Sequence, residues 1–87
     1  MVVRTPTSLK GADIKLGYWD VYEAQMSTND TLPLPEFSTG VNLTTTTVIK
    51  KSDYTEVTAT AALNVVTLTQ AAQTNVEFII FAAGVKA

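Results

Sequence analysis

Apolar residues in this chain recur at every second position far more often than at every third or fourth, the period of a strand buried on one face. The first such stretch runs from Asp13 to Tyr22, with Ile14, Leu16 and Tyr18 on one face and Lys15, Gly17, Trp19 and Val21 on the other. Gly17 inside it predicts a bulge or a close backbone approach. Residues 23–35 read as a connection: a short helical turn within EAQMS, a turn at STND, then extended chain through TLPLPEF, where Pro33 and Pro35 cannot donate ladder bonds. Alternation resumes from Phe37 to Lys50, with Val41, Leu43, Thr45, Thr47 and Ile49 opposite Asn42, Thr44, Thr46 and Val48. After a turn at KKSD, Tyr54 to Ala61 places Val57, Ala59 and Ala61 inward. A tight turn follows around Leu63, with Asn64 expected to take the left-handed conformation. VVTLT is a strand, TQAAQTN a loop or one helical turn, and Val76 to Val85 the last strand. These elements predict an all-β fold, a small antiparallel β-sandwich or barrel of five to six short strands.

The last strand departs from the rule. Val76, Phe78, Ile80 and Ala82 form one apolar face, and Ile79, Phe81, Ala83 and Val85 form a second. A strand of a one-layer antiparallel sheet alternates apolar with polar. A short chain has little left to cover both sides, so Phe78, Ile79, Ile80 and Phe81 are expected at a contact between molecules, the alternative being a central strand covered on both sides within the monomer.

Composition sharpens this expectation. The chain has 87 residues, 46% hydrophobic and 16% charged, with neither His nor Cys. That is one small domain, which by area scaling buries only about 60–65% of its unfolded surface. Disulfides and thiolate metal sites are excluded, and the commonest general base is missing, which leaves a partner chain as the remaining source of extra stability. Fifteen threonines fit half-exposed strands. A net charge of −2 argues against binding nucleic acid or an anionic membrane, and no apolar run approaches the roughly 18 residues of a span.

Charge is unevenly placed. Arg4, Lys10 and Lys15 outweigh Asp13 in residues 1–15, whereas Asp20, Glu23, Asp30 and Glu36 meet no cation between Leu16 and Ile49. Residues 1–12 are therefore expected to be an extended arm, free until docked, with Arg4 and Lys10 meeting an acidic neighbour, and residues 13–87 a single β domain. Tyr18, Trp19 and Tyr22 with Phe37 could form a stacking platform, but the segment is acidic, and Trp19 and its neighbours read better as core or interface anchors. The four carboxylates read as a solvated acidic face, since neither glycosidase nor EF-hand spacing is present. The sequons at Asn29 and Asn42 read as chance matches in a Thr-rich chain. No catalytic constellation and no cofactor site emerges, so an enzyme is not expected.

A strand leading into DTLPLPEF, a Thr/Val-rich strand, then TEVTATAALNVVTLTQAAQTNVEFIIFAAGV resembles small virion proteins of tailed bacteriophages, specifically capsid decoration (cement) proteins. The likeness covers residues 13–85 and is one of pattern, carried mostly by ALNVVTLTQAAQTNVEF. It implies a β fold, no cofactor, the major capsid protein as partner, and clustering as a trimer or dimer on the capsid exterior after synthesis in the host cytoplasm. No functional residue carries over, because the family offers no catalytic motif. A head–tail completion or tail protein, and a small carbohydrate-binding β module using Trp19, are the competing expectations.

Overall fold

The structure is a computed structural model that describes residues 2–14 and 17–87. The positions expected for Lys15 and Leu16 lie outside the described residues. The described residues form eight strands and no helix: β1 (Thr7–Ile14), β2 (Gly17–Met26), β3 (Thr31–Pro33), β4 (Thr45–Lys50), β5 (Glu56–Val57), β6 (Ala59–Ala62), β7 (Val65–Leu68) and β8 (Val76–Gly84). They build a five-stranded sheet, β1-β2-β8-β4-β5, facing a three-stranded sheet, β3-β7-β6, with every strand pair antiparallel. This is an all-β sandwich.

Strand parity decides the core. On β2, Tyr18, Asp20, Tyr22, Ala24 and Met26 point between the sheets. Opposite them stand Phe78, Ile80 and Ala82 of β8 and Val48 of β4. Leu32, Leu34, Phe37, Val66 and Leu68 close the core from the side of the second sheet. The accessible surface is 4926 Å², against roughly 5,000 Å² for a folded monomer of this mass. The chain therefore buries as much as an ordinary soluble domain, and surface left apolar is not a sign of an incomplete core.

Several expected boundaries shift. The strand read as Asp13–Tyr22 is the meeting of two, β1 and β2, paired from Ile14–Gly17 to Thr7–Glu23 with a bulge between Ser8 and Lys10. Much of the expected arm is thus an edge strand, and residues 2–4 are held too: Val3 bridges Thr31 in parallel, and Arg4 N–H donates to the Thr31 carbonyl at 2.7 Å. EAQM of the segment EAQMS is strand, not helix, because Ala24, Gln25 and Met26 pair with Phe78, Glu77 and Val76, and Ser27 follows the strand. The segment read as Tyr54–Ala61 leaves the first sheet at Thr58 and joins the second. Only Thr45–Lys50 of the Phe37–Lys50 stretch is strand, apart from an isolated bridge from Phe37 to Lys86. Pro33 is tolerated because β3 is an edge strand of its sheet.

One turn has a cause the sequence does not show. The left-handed residue of the β6–β7 hairpin is Leu63, with φ of 53°, not Asn64. Asn64 is buried, and its side-chain amide donates to the Leu34 carbonyl at 3.1 Å, which commits it elsewhere. Gly17 does mark a close approach: a Cβ there would lie 2.4 Å from the Gly84 carbonyl oxygen.

Candidate docking surface

The outer face of the five-stranded sheet is the candidate site. Register sets it out in rows. Trp19, Ala83 and Thr45 form one, Val21, Phe81 and Thr47 the next, and Glu23, Ile79 and Ile49 the third. Each row crosses β2, β8 and β4, and β8 is the middle strand of the sheet. Phe81 is 43% exposed at the centre, and Trp19, Val21, Ile79, Ile49 and Thr47 around it are half-buried. Apolar and threonine side chains thus make one continuous patch. A polar rim bounds it, as at protein–protein contacts. At one end Lys51 Nζ meets Glu23 Oε1 at 2.9 Å, which raises the Lys51 pKa, with exposed Gln25 and Glu77 beside the pair. On the β1 side exposed Lys10 continues the Val21 row, and on the β5 side exposed Glu56 continues the Ile49 row.

The residues expected at a contact are divided by this geometry. Lys10, Trp19, Ile79 and Phe81 share the outer face. Phe78 and Ile80 are fully buried between the sheets, because the second sheet covers that side of β8. A partner cannot reach them. Arg4 lies elsewhere, in an ion pair of 2.7 Å from its Nε to Asp30 Oδ2. The Asp30 carboxylate also accepts the Val2 N–H at 2.8 Å and the Ser27 N–H at 2.9 Å. Burial alone pushes its pKa up, but the Ser27, Arg4 and Val2 donors together outweigh burial and hold it below the ordinary range. Arg4 is therefore an internal anchor for the N-terminal segment rather than a charge free to meet a neighbour.

The expected acidic face is likewise corrected. Asp20 and Asp30 are buried. Asp20 accepts the Ser8 hydroxyl at 2.9 Å, the Tyr18 hydroxyl at 2.9 Å and the Val21 N–H at 2.7 Å. Gly11 opposite it leaves the room, since a Cβ there would fall 1.9 Å from Tyr18 Oη. Burial, followed by the bond to Asp20, pushes the Tyr18 pKa up to about 12. Glu36 accepts the Tyr22 hydroxyl at 2.7 Å. Asp20 ties β1 to β2, Asp30 ties the N-terminal segment to the β2–β3 turn, and Glu36 ties its own turn to β2. Among the described residues no group of three acidic side chains is placed to hold a metal ion.

The aromatic cluster splits by parity as well. Tyr18 and Tyr22 pack on Phe37 inside the core, with ring centroids 5.3 and 6.4 Å apart, while Trp19 faces outward. Three of the four rings cannot stack on a ligand. Val21, Ile49 and Thr47 join the site with no local signal in the sequence to mark them. The missing signal is the pairing order β2-β8-β4, which assembles their modest side chains around Phe81. A cleft of about 340 Å³ opens between β4 and the β5–β6 crossing, with Glu56 the charged side chain of its lining. Comparison with protein-family models, with curated proteins and with solved structures finds no match.

Proposed function

We propose that this chain is a structural virion protein that binds the outer surface of an assembled bacteriophage capsid and reinforces it. The observation that carries this reading is the continuous apolar patch centred on Phe81, on a domain whose core is otherwise complete: it marks a chain built to assemble with other protein, as a shell-bound oligomer does. Soluble monomers seldom keep such a patch on a flat sheet face without a protein contact to make there. The pattern resemblance over residues 13–85 points to the same role, and the buried carboxylates act as internal struts rather than as catalytic groups. Binding that favours only the assembled shell would stabilise it by mass action.

Mass spectrometry with copy counting on purified particles tests the reading. Hundreds of copies per particle, together with co-sedimentation of the purified protein with intact heads, are expected. A handful of copies at the neck or tail would instead assign a head–tail completion or tail role, and recovery without heads or tails would remove the virion reading altogether.

A further inference from the structure

The outer sheet face has a charge layout that selects one occupant. Resting on the reading of this face as a protein contact, we propose that a second copy of this chain seats on it, face to face, about a two-fold axis running along β8. Such a contact is isologous, so each side must be complementary to itself.

Strand order supplies the argument. β8 is the middle of the five strands, so an axis along it lays β2 over β4 of the second copy and β1 over β5 of the second copy. Phe81 then meets Phe81 of the second copy beside the axis. Trp19 and Val21 face the methyl groups of Thr45 and Thr47. At the margins, Lys10 on β1 comes over the β5 edge, where Glu56 stands one row along. Successive same-face residues are about 7 Å apart, within the combined reach of two extended side chains. Glu23 likewise comes over the Ile49 row, whose next neighbour is Lys51. An axis across the strands at Phe81 would instead set Lys10 on Lys10. Basic edge on acidic edge is thus the arrangement the face itself prefers.

The area also fits. The five strands have 8, 10, 9, 6 and 2 residues. With about 4.8 Å between strands and 3.3 Å per residue, the face projects roughly 550 Å². Corrugation raises the accessible area above that, to the lower range of specific interfaces at about 600 Å² per partner. Two stacked sheets at about 10 Å spacing turn the outer face into a second sandwich core. The three-stranded sheet and the loop ends remain free for a shell.

The test is sedimentation of the purified full-length protein over a concentration series, without capsids. A reversible dimer with a dissociation constant of about 1–100 μM is expected. Phe81→Asp raises that constant at least about 100-fold, with the near-ultraviolet circular dichroism of the core retained. Lys10→Glu weakens association about fivefold, and Lys10→Glu combined with Glu56→Lys restores it. A protein monomeric at about 1 mM, a dimer unaffected by Phe81→Asp, or a charge exchange without effect or rescue would each overturn the proposal. Head binding is read separately. A monomer whose co-sedimentation with heads is abolished by Phe81→Asp would give the face to the shell, overturning the dimer while leaving the capsid role standing. A dimer that binds no heads would do the reverse.

Discussion

The two faces of β2, β8 and β4 are made from nearly the same residue types and meet opposite fates. Inside, Tyr22, Ile80 and Val48 form a row that is 0–2% exposed. Outside, Val21, Phe81 and Thr47 form the adjoining row, with Phe81 43% exposed. Hydrophobicity does not distinguish them. What does is whether the rest of the chain lies above: β3, β6 and β7, with Leu34 and Phe37, cover one side, and no other described strand covers the other. An apolar strand face is a demand for cover, and only the topology says whether the same molecule supplies it.

Truncating one ring on each face should separate the two faces most strongly. Phe78→Ala removes a fully buried side chain and should cost about 4 kcal/mol of folding stability. Phe81→Ala, in dilute protein, should cost about 1 kcal/mol. Urea unfolding at low micromolar concentration measures both, and equal losses would mean that the outer face is already covered within the monomer.

A second pair of substitutions probes β1. Gly11→Ala drives a methyl group into the Tyr18 hydroxyl and disturbs its bond to buried Asp20, for an expected cost of about 2–3 kcal/mol. Ala12→Ser, the next residue and on the outer face beside Trp19, should stay within about 0.5 kcal/mol. Thermal melts of the two variants separate a strand locked by its inner side from one merely laid along an edge.

The smallest contrast concerns charge. Asp30→Asn weakens a buried carboxylate that accepts from Arg4, Val2 and Ser27, and should cost about 2 kcal/mol at neutral pH. Glu23→Gln removes an exposed pair with Lys51 and should cost under about 0.5 kcal/mol. The folded Asp30 pKa lies below the ordinary value of 3.8, so the unfolded chain takes up the proton first as pH falls. Its stabilisation is complete above 3.8 and is lost as pH drops through the lower folded value. Melting curves of the parent and Asp30→Asn should therefore converge in acid, and a gap unchanged at pH 2.5 would remove the carboxylate's charge from the account.

Much of the fold was legible because strand parity is a local property. Phe78 and Ile80 against Ile79 and Phe81, and Val66 and Leu68 on one side of β7, follow from period two alone. Three features resisted for physical reasons. Glu23, Ala24, Gln25 and Met26 carry helical propensity that pairing with β8 overrides. β1 buries almost no side chain, so its pattern carries no periodic signal and looks like that of a free arm. Arg4 and Asp30 are 26 positions apart, and nothing local to either announces the other. The candidate site was half legible: Ile79 and Phe81 follow from the two apolar faces of the last strand and Trp19 from its aromatic neighbours, but which face stays open depends on the order of strands in space.

The path of β1 has a mechanical consequence. Thr7 begins β1 beside Glu23 at one end of the sheet, and Gly84 ends β8 beside Tyr18 at the other. Tension between those two residues runs along the strands, with β2 held between them like the middle leaf of a lap joint. The two ladders are then loaded in shear, and their hydrogen bonds resist together instead of unzipping one after another. A pull applied upstream of Thr7 must first tear Arg4 from Asp30. Stretched in this direction the domain is a tie rather than a tether.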